Sequence, residues 1–426
     1  MSSRNEDTEQ AKMSRPAGKP VSLWLNRDYM LLWSGQAISL IGTEVSQFAF
    51  PLLVLAITRS PALAGIAGAV SALPYLILSL PAGALIDRWD RKRVMILCDT
   101  GRALNMASIP IALLLGHLTL IQIYLVALIE GSLFVFFNLA QAACLPRLVP
   151  NEQLPTATAQ NEATYSTSSL LSPSLGGVLY SVRQVLPFTL DAISYAFSVI
   201  SLLFIRTPFQ KERITAQERP ALRHEIARGL VWLWRQPLIR YIAFLTGGFN
   251  LLGSGIVLVV IVLAQHQGAS STTIGIIFSI AGIGSILGSL VGGFIQKRFR
   301  FGTVMIILCW LPVLLWPLYA IVPNVFLLGV VTAGLLCIGP IYNVVQFSYR
   351  LALIPDELQG RVNSVFRLIA FGFIPLGQAL AGFLLQSIGT TSTILLITAV
   401  SLLLAITTTL QPLVRHARPI EELETA

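Results

Sequence analysis

Charged side chains are scarce in this sequence. Asp, Glu, Lys and Arg make up 12% of its 426 residues, against about 25% in a soluble globular chain. That shortage argues against a water-soluble enzyme with a loop-built active site. Paired cysteines are missing too: Cys98, Cys144, Cys309 and Cys337 all lie in apolar stretches, which excludes a secreted disulfide scaffold. His117, His224, His266 and His416 are isolated, and there is neither a metalloprotease pair nor a Gly-x-Ser-x-Gly elbow. The phosphate loop Gly-x-x-x-x-Gly-Lys-Ser/Thr is absent, so ATP is not expected to drive any activity. The expectation is a protein that is not an enzyme and carries no cofactor or metal.

Apolar residues take the place of charge, at 54% with a mean hydropathy of +0.74. A bilayer core of about 30 Å needs about 20 consecutive, mainly apolar residues as helix. Twelve such runs are present: Tyr29–Ile57, Ala62–Ile86, Val94–Leu115, Leu120–Leu145, Thr156–Val182 and Leu186–Ile205, then Leu238–Gln265, Thr272–Ile295, Thr303–Ile321, Val325–Tyr349, Glu357–Ile388 and Thr391–Leu410. Each is far longer than a barrel strand of about 9–11 residues, so helices are expected. Prolines inside them (Pro51, Pro74, Pro110, Pro173, Pro340, Pro375) are tolerated where neighbouring helices satisfy the freed backbone.

The net charge of +9 orients these runs. With the N-terminus cytoplasmic, all but four of the 29 lysines and arginines fall in cytoplasmic tails and loops. The exceptions are Arg59 and Arg183 outside, and Arg102 and Arg367 within runs. That is the positive-inside pattern, and it places both termini in the cytoplasm of a multi-pass inner-membrane protein. Charge spread over loops also faces anionic lipid rather than nucleic acid.

An internal repeat divides the chain. Gly83-Ala-Leu-Ile-Asp87-Arg88 after the second run matches Gly292-Gly-Phe-Ile-Gln296-Lys297 after the eighth, at an offset of 209. Val149-Pro150-Asn-Glu152 matches Ile354-Pro355-Asp-Glu357 at 205, and Asn161 with Pro173 matches Asn363 with Pro375 at 202. Landmarks six runs apart imply two bundles in the same membrane orientation, the parallel repeat of a transporter. The expected division is a disordered tail at 1–28, a six-helix bundle at 29–205, a linker at 206–237, a second bundle at 238–411 and a tail at 412–426. In the linker, Leu222, Ile226, Leu230 and Leu233 recur at helical spacing, as in an amphipathic helix on the membrane interface.

The loop Gly83-Ala-Leu85-Ile-Asp87-Arg88-Trp-Asp90-Arg91-Lys92-Arg93 resembles the signature loop of the major facilitator superfamily. The resemblance covers roughly Asn26 to Leu410 and implies an all-α fold of twelve transmembrane helices in two six-helix bundles. Gly83 is expected to permit close helix approach, Asp87 to cap a helix or pair with a cation, and the basic residues to anchor the loop. In the superfamily this loop stabilises the closed cytoplasmic side, and Asp99 with Arg102, three apart on one helix face, are placed beside it. They are either a pair that changes partners as the gate opens or a static pair. Ser172-Pro173-Ser-Leu-Gly176-Gly177 resembles the superfamily's antiporter motif, with Ser172 where a glycine precedes the proline. Likewise a second glycine often stands where this chain has Asp90. The opening Asn26-Arg27-Asp-Tyr-Met-Leu-Leu-Trp33-Ser-Gly35-Gln36-Ala-Ile-Ser39, the Asp99-x-x-Arg102 pair and Gly360-Arg361-Val362 look like the macrolide-efflux branch of drug:proton antiporters, whose relatives include siderophore exporters.

Ionisable residues inside a spanning helix cost about 2.5–3.5 kcal/mol on insertion scales, so each needs a reason. Glu44 lies about 22 Å into the first run and Glu130 about 15 Å into the fourth, on an ideal helix. Both fall near mid-membrane and are the candidates for carrying protons and attracting a cationic substrate. In the superfamily the first, fourth, seventh and tenth helices line the central cavity. Gln36, Thr43, Gln47, Asn138 and Gln141, then Asn250, Tyr342, Asn343 and Gln346, are therefore the candidate cavity residues. Asp191 is read as a structural acid near the outer end of the sixth run, complementing its dipole. The resulting expectation is a monomeric, proton-coupled exporter of amphipathic, macrolide-like small molecules working by alternating access. A siderophore or lipid exporter, and a transporter-derived receptor that binds without translocating, are the alternatives.

Overall fold

A computed structural model describes residues 23–86, 88–209, 222–355 and 358–417. Among them there is no strand, and a helix occupies each apolar run. In the first half these are α1 (Arg27–Thr58), α2 (Pro61–Ile86), α3 (Arg91–Leu114), α4 (Leu120–Leu148), α5 (Leu154–Val182) and α6 (Leu186–Phe204). The linker contributes α7 (Leu222–Arg235). The second half holds α8 (Pro237–Gly253), α9 (Ile256–His266), α10 (Ser271–Arg298), α11 (Phe301–Leu315), α12 (Leu318–Ile321), α13 (Val325–Leu353), α14 (Gln359–Ser387), α15 (Gly389–Leu410) and α16 (Pro412–Arg415).

Among the described residues ten helical stretches are long and apolar enough to cross a bilayer. The third and fifth runs fall short in apolarity rather than length. Helix α3 carries Arg91, Lys92, Arg93, Asp99 and Arg102, and α5 carries Gln160, Asn161, Glu162 and several hydroxyls.

Two runs read as continuous are interrupted. The seventh breaks between α8 and α9, where Ser254 and Gly255 form a turn. A Cβ at Gly255 would stand 2.3 Å from the Ala381 Cβ, so a larger residue would push α14 away. The ninth breaks at Trp316 and Pro317, between α11 and α12. The linker helix lies against α14: Leu233 is buried and a Cβ on Gly229 would meet the Arg361 carbonyl oxygen at 2.7 Å. Leu230 is exposed, so the expected four-residue apolar stripe is not buried as a unit. The side chains of Leu222 and Ile226 lie outside the described ones.

Apolar packing differs between the two ends of the molecule. On the end away from the basic loops, one cluster joins residues of both halves, among them Phe48, Leu52, Val259, Ile261 and Phe278. On the basic end the halves keep separate clusters, one around Tyr29, Met95 and Phe137 and the other around Met305, Tyr349 and Phe366. The halves meet along α2 with α14 and α5 with α10. Glycine permits both seams. A Cβ on Gly65 would lie 2.9 Å from the Gly382 Cα, and one on Gly275 would lie 2.4 Å from the Pro173 carbonyl oxygen. Ser174–Ser279 (2.7 Å) and Ser181–Thr272 (2.8 Å) hydrogen bonds cross the second seam.

Candidate functional site

A cavity of about 630 Å³ lies between the halves. Its wall is mixed: Phe48, Phe50, Phe134 and Phe278 give aromatic surface, and Gln47, Ser254, Ser285 and Gln378 give polar contacts. The charged residues on it are Glu44, Arg102 and Glu130.

These three differ sharply in their partners. Arg102 is 3% exposed and Glu130 7% exposed. The Arg102 Nε donates to Glu130 Oε1 at 2.6 Å, and Nη2 donates to the Tyr195 hydroxyl at 2.6 Å. Tyr195 in turn donates to Glu130 Oε1 at 2.7 Å, and Thr43 Oγ1 lies 2.7 Å from the same phenol oxygen. The guanidinium also stands 4.2 Å from the Tyr195 ring centroid, within cation–π range. Glu44 is half-buried on the wall, and among the described residues its carboxylate makes no hydrogen bond or ion pair. The seam between α1 and α6 explains how Tyr195 reaches this point. Gly35 and Gly42 on α1 face Ser201 and Ser194 on α6, with Cβ positions that would fall 2.9 Å and 2.3 Å from those serines. Small residues let the two backbones come together.

Asp99 is fully buried. Its Oδ2 accepts from the Ser198 hydroxyl at 2.5 Å, while Arg102 Nη1 lies farther off, at 3.6 Å. Arg102 therefore bridges two acids, keeping a longer ion pair with Asp99 and making its shorter one to Glu130 on the cavity wall, while Asp99 is also held to α6 by Ser198. Gln36 joins that seam too, donating to Ser198 at 3.0 Å.

Of the expected cavity residues, Thr43 and Gln47 line the wall with Glu44 and Glu130, whereas Gln36, Asn138 and Gln141 do not. Nor do Asn250, Tyr342, Asn343 and Gln346. Asn250 donates to the Ala370 carbonyl at 2.8 Å, and the Tyr342 hydroxyl lies 2.7 Å from Thr246 Oγ1. Asn343 is exposed and Gln346 buried away from the cavity. Asn250 and Tyr342 thus bond between helices, and the second half presents Ser254, Ser285 and Gln378 to the cavity instead. In this arrangement of the halves the rotation of each helix, set by its neighbours and by the break at Ser254–Gly255, keeps the expected second-half residues off the cavity wall. Of the cluster of Thr43, Arg102, Glu130 and Tyr195, only Tyr195 is not among the expected residues, although Asp191, Ser194, Ser198 and Ser201 recur at helical spacing and mark a polar face of the sixth run.

In the signature loop Asp87 lies outside the described residues. A Cβ at Gly83 would meet no atom within 4 Å, so the expected close approach does not occur there. Asp90, which replaces the superfamily's glycine, caps α3 by accepting from the Arg93 amide at 2.9 Å. Arg91 Nη1 donates to the Ala143 carbonyl at 2.7 Å, and Lys92 Nζ to the Ile205 carbonyl at 2.6 Å. Those two ties bind the start of α3 to α4 and to the end of α6, with Arg88 in the turn between α2 and α3. On α5, a Cβ at Gly176 would stand 3.1 Å from the Val45 carbonyl of α1, and one at Gly177 would stand 2.4 Å from the Ser271 carbonyl of α10. With Pro173 this motif holds α5 against both halves.

An all-helical chain whose apolar helices enclose a polar-lined cavity between two halves is a polytopic membrane transporter. Comparison with known proteins makes the class specific. The profile of the transmembrane secretion effector family matches residues 21–423, and the chain belongs to that family of the major facilitator superfamily. It is 25% identical over 402 residues to the multidrug efflux pump Tap of Mycolicibacterium fortuitum, covering 88% of this chain and 93% of that one. Macrolide efflux protein A of Streptococcus pyogenes is 26% identical over 370 residues, covering 85% and 90%. The enterobactin exporter EntS of Salmonella choleraesuis (strain SC-B67) is 26% identical over 353 residues, covering 81% and 82%. Among solved structures, the nucleoside transporter NupG superposes with a TM-score of 0.73 at 16% identity, covering 92% of this chain and all of that one. These relatives are transporters, not enzymes.

Proposed function

We propose that this protein is a proton-coupled exporter of amphipathic, macrolide-like cations, working as a monomer in the inner membrane by alternating access. All twelve runs cross the bilayer as two six-helix bundles in parallel repeat, 29–205 and 238–411, with the basic loops and both termini in the cytoplasm. The observation that carries this reading is the contrast between Glu44 and the other acids. Glu130 is matched to Arg102 and Tyr195, whereas Glu44 faces a 630 Å³ cavity with no hydrogen bond or ion pair among the described residues. A carboxyl in that position either takes a proton or meets a cationic group of the substrate. Exchange between the two is the coupling step. Glu130 acts through Arg102, setting the charge of the wall opposite the bound cation.

The aromatic side chains Phe48, Phe50 and Phe278 suit the apolar body of such a substrate, and Gln47 and Gln378 its polar groups. The glycine seams of α2 with α14 and α5 with α10 are the surfaces over which the halves rock. Similarity to an enterobactin exporter, together with Arg102 on the cavity wall, makes a siderophore the second reading. It requires Arg102 to leave Glu130 for an anionic ligand.

Transport into inverted vesicles tests the proposal, using a radiolabelled macrolide, ethidium and a ferric catecholate, each with and without an imposed pH gradient. Accumulation of the macrolide or ethidium that collapses with the gradient is expected. Gradient-driven movement of the catecholate alone would overturn the substrate class, and accumulation indifferent to pH would overturn the coupling.

A further inference from the structure

In the buried cluster of the first half three acids face one cation, and among the described residues Asp191 makes no ion pair with it. Asp99, Glu130 and Asp191 surround a single guanidinium, Arg102, which is taken up by Glu130 at 2.6 Å and Asp99 at 3.6 Å. Asp191 is 0% exposed and has only hydroxyl partners, Ser46 on α1 and Ser194 on its own helix. An unpaired carboxylate in so dry a place is strongly disfavoured.

The hydrogen-bond geometry says how it is accommodated. Ser46 Oγ lies 3.0 Å from the Thr43 carbonyl oxygen as well as against Asp191 Oδ2. Ser194 Oγ lies 2.8 Å from the Asp191 carbonyl oxygen and 3.4 Å from Oδ1. Each hydroxyl has one proton and two acceptors within reach. A proton on the Asp191 carboxyl relieves that shortage and removes the buried charge together. Asp191 is not sealed from the aqueous route either, because Ser46 lines the central cavity.

We propose that Asp191 is a further proton-binding site of the transport cycle, beside Glu44 and Glu130, reached from the cavity through Ser46 and controlled by Arg102. The proposal deepens the proton-coupled reading given above and rests on it. While Arg102 holds Glu130, Asp191 keeps its proton. When Glu130 is neutralised by a proton from the cavity, the guanidinium is released from its strongest partner. It then stabilises an ionised Asp191. The Asp191 O–H bond breaks, and the proton passes by Ser46 to water in the cavity. One proton is taken up and one released, so the charge of the buried cluster is unchanged.

The groups that govern this exchange are those around Asp191. Helix α3 brings Arg102 and Asp99, α4 brings Glu130, and Tyr195 lies one turn away on α6 itself. Helix α1 carries Glu44 beside Thr43, and α5 carries Tyr180 near the same end. Arg102 and Glu130, paired at 2.6 Å, are the charges to which the Asp191 proton would respond. Gly42 keeps α1 close enough for Ser46 to reach it, since a Cβ there would fall 2.9 Å from Asp191 Oδ1.

Infrared difference spectroscopy of the full-length protein in lipid tests the site without a substrate. A protonated carboxyl has a C=O stretch that a carboxylate lacks. The wild-type protein at neutral pH should show a band that vanishes in Asp191→Asn and persists in Glu44→Gln. Glu130→Gln should also abolish it, because Arg102 is then free to ionise Asp191, and a merely structural acid would not respond in this way. Ser46→Ala leaves the carboxyl in place and should shift the band, which keeps the test open if Asp191→Asn does not fold. A band that survives Asp191→Asn, or that is unmoved by both Glu130→Gln and Ser46→Ala, overturns the proposal. The band is independent of transport. Its presence with pH-indifferent transport would sink the coupling reading alone, and its absence with pH-driven transport would sink this one alone.

Discussion

Glu44 and Glu130 share a residue type and a cavity wall, and their neighbours separate them. Both were legible in the sequence because a carboxyl in an apolar run demands a reason. Their difference was not, because it depends on Arg102 and Tyr195 arriving from α3 and α6. The Arg102–Glu130 pair is buried, and breaking such a pair costs about 3–5 kcal/mol where nothing else compensates the charge left behind; ionisation of Asp191 would offset part of that cost in Glu130→Gln. Arg102→Met and Glu130→Gln should each lower thermal stability in detergent substantially, with Arg102→Met the worse of the two because it strands Glu130 and Asp99. The double variant should recover part of the loss of Arg102→Met. Strictly additive losses in a double-mutant cycle would show that the pair is not coupled.

Helix boundaries followed closely from the apolar runs, since length and apolarity are local properties. The break at Ser254–Gly255 left only a faint trace, the Gly253-Ser254-Gly255 triplet, and its meaning appears only where Gly255 meets Ala381 beside the cavity. Asp90 shows the opposite case, a departure from the superfamily's pattern with a local cause. As the cap of α3 it should contribute about 0.5–2 kcal/mol, so Asp90→Ala should lower the melting temperature measurably, while Asp90→Ser should restore most of it. Gly177→Leu is expected to be far more damaging at the seam. Its Cβ would meet backbone of α10 at 2.4 Å, which cannot turn aside as a side chain can, so the seam between α5 and α10 must open. Wild-type transport by that variant would show that the seam has room to spare.

At the scale of the whole molecule, one apolar cluster unites the halves at the end away from the basic loops, and two separate clusters serve the basic end. No short motif encodes that asymmetry, because it belongs to one arrangement of the halves and a rocking cycle would reverse it. A cross-link should therefore arrest the cycle. In a cysteine-free background, Ser181→Cys with Thr272→Cys replaces side chains now 2.8 Å apart. The pair should oxidise readily, stop transport and regain it on reduction; full transport by the oxidised protein would refute rocking at this seam. The central claim is that the unpartnered carboxyl of Glu44 couples proton and substrate. The most direct test is macrolide movement into inverted vesicles carrying Glu44→Gln, with a pH gradient imposed. The account predicts that this variant still equilibrates the macrolide across the membrane but no longer accumulates it. Accumulation at the wild-type level by Glu44→Gln would contradict it.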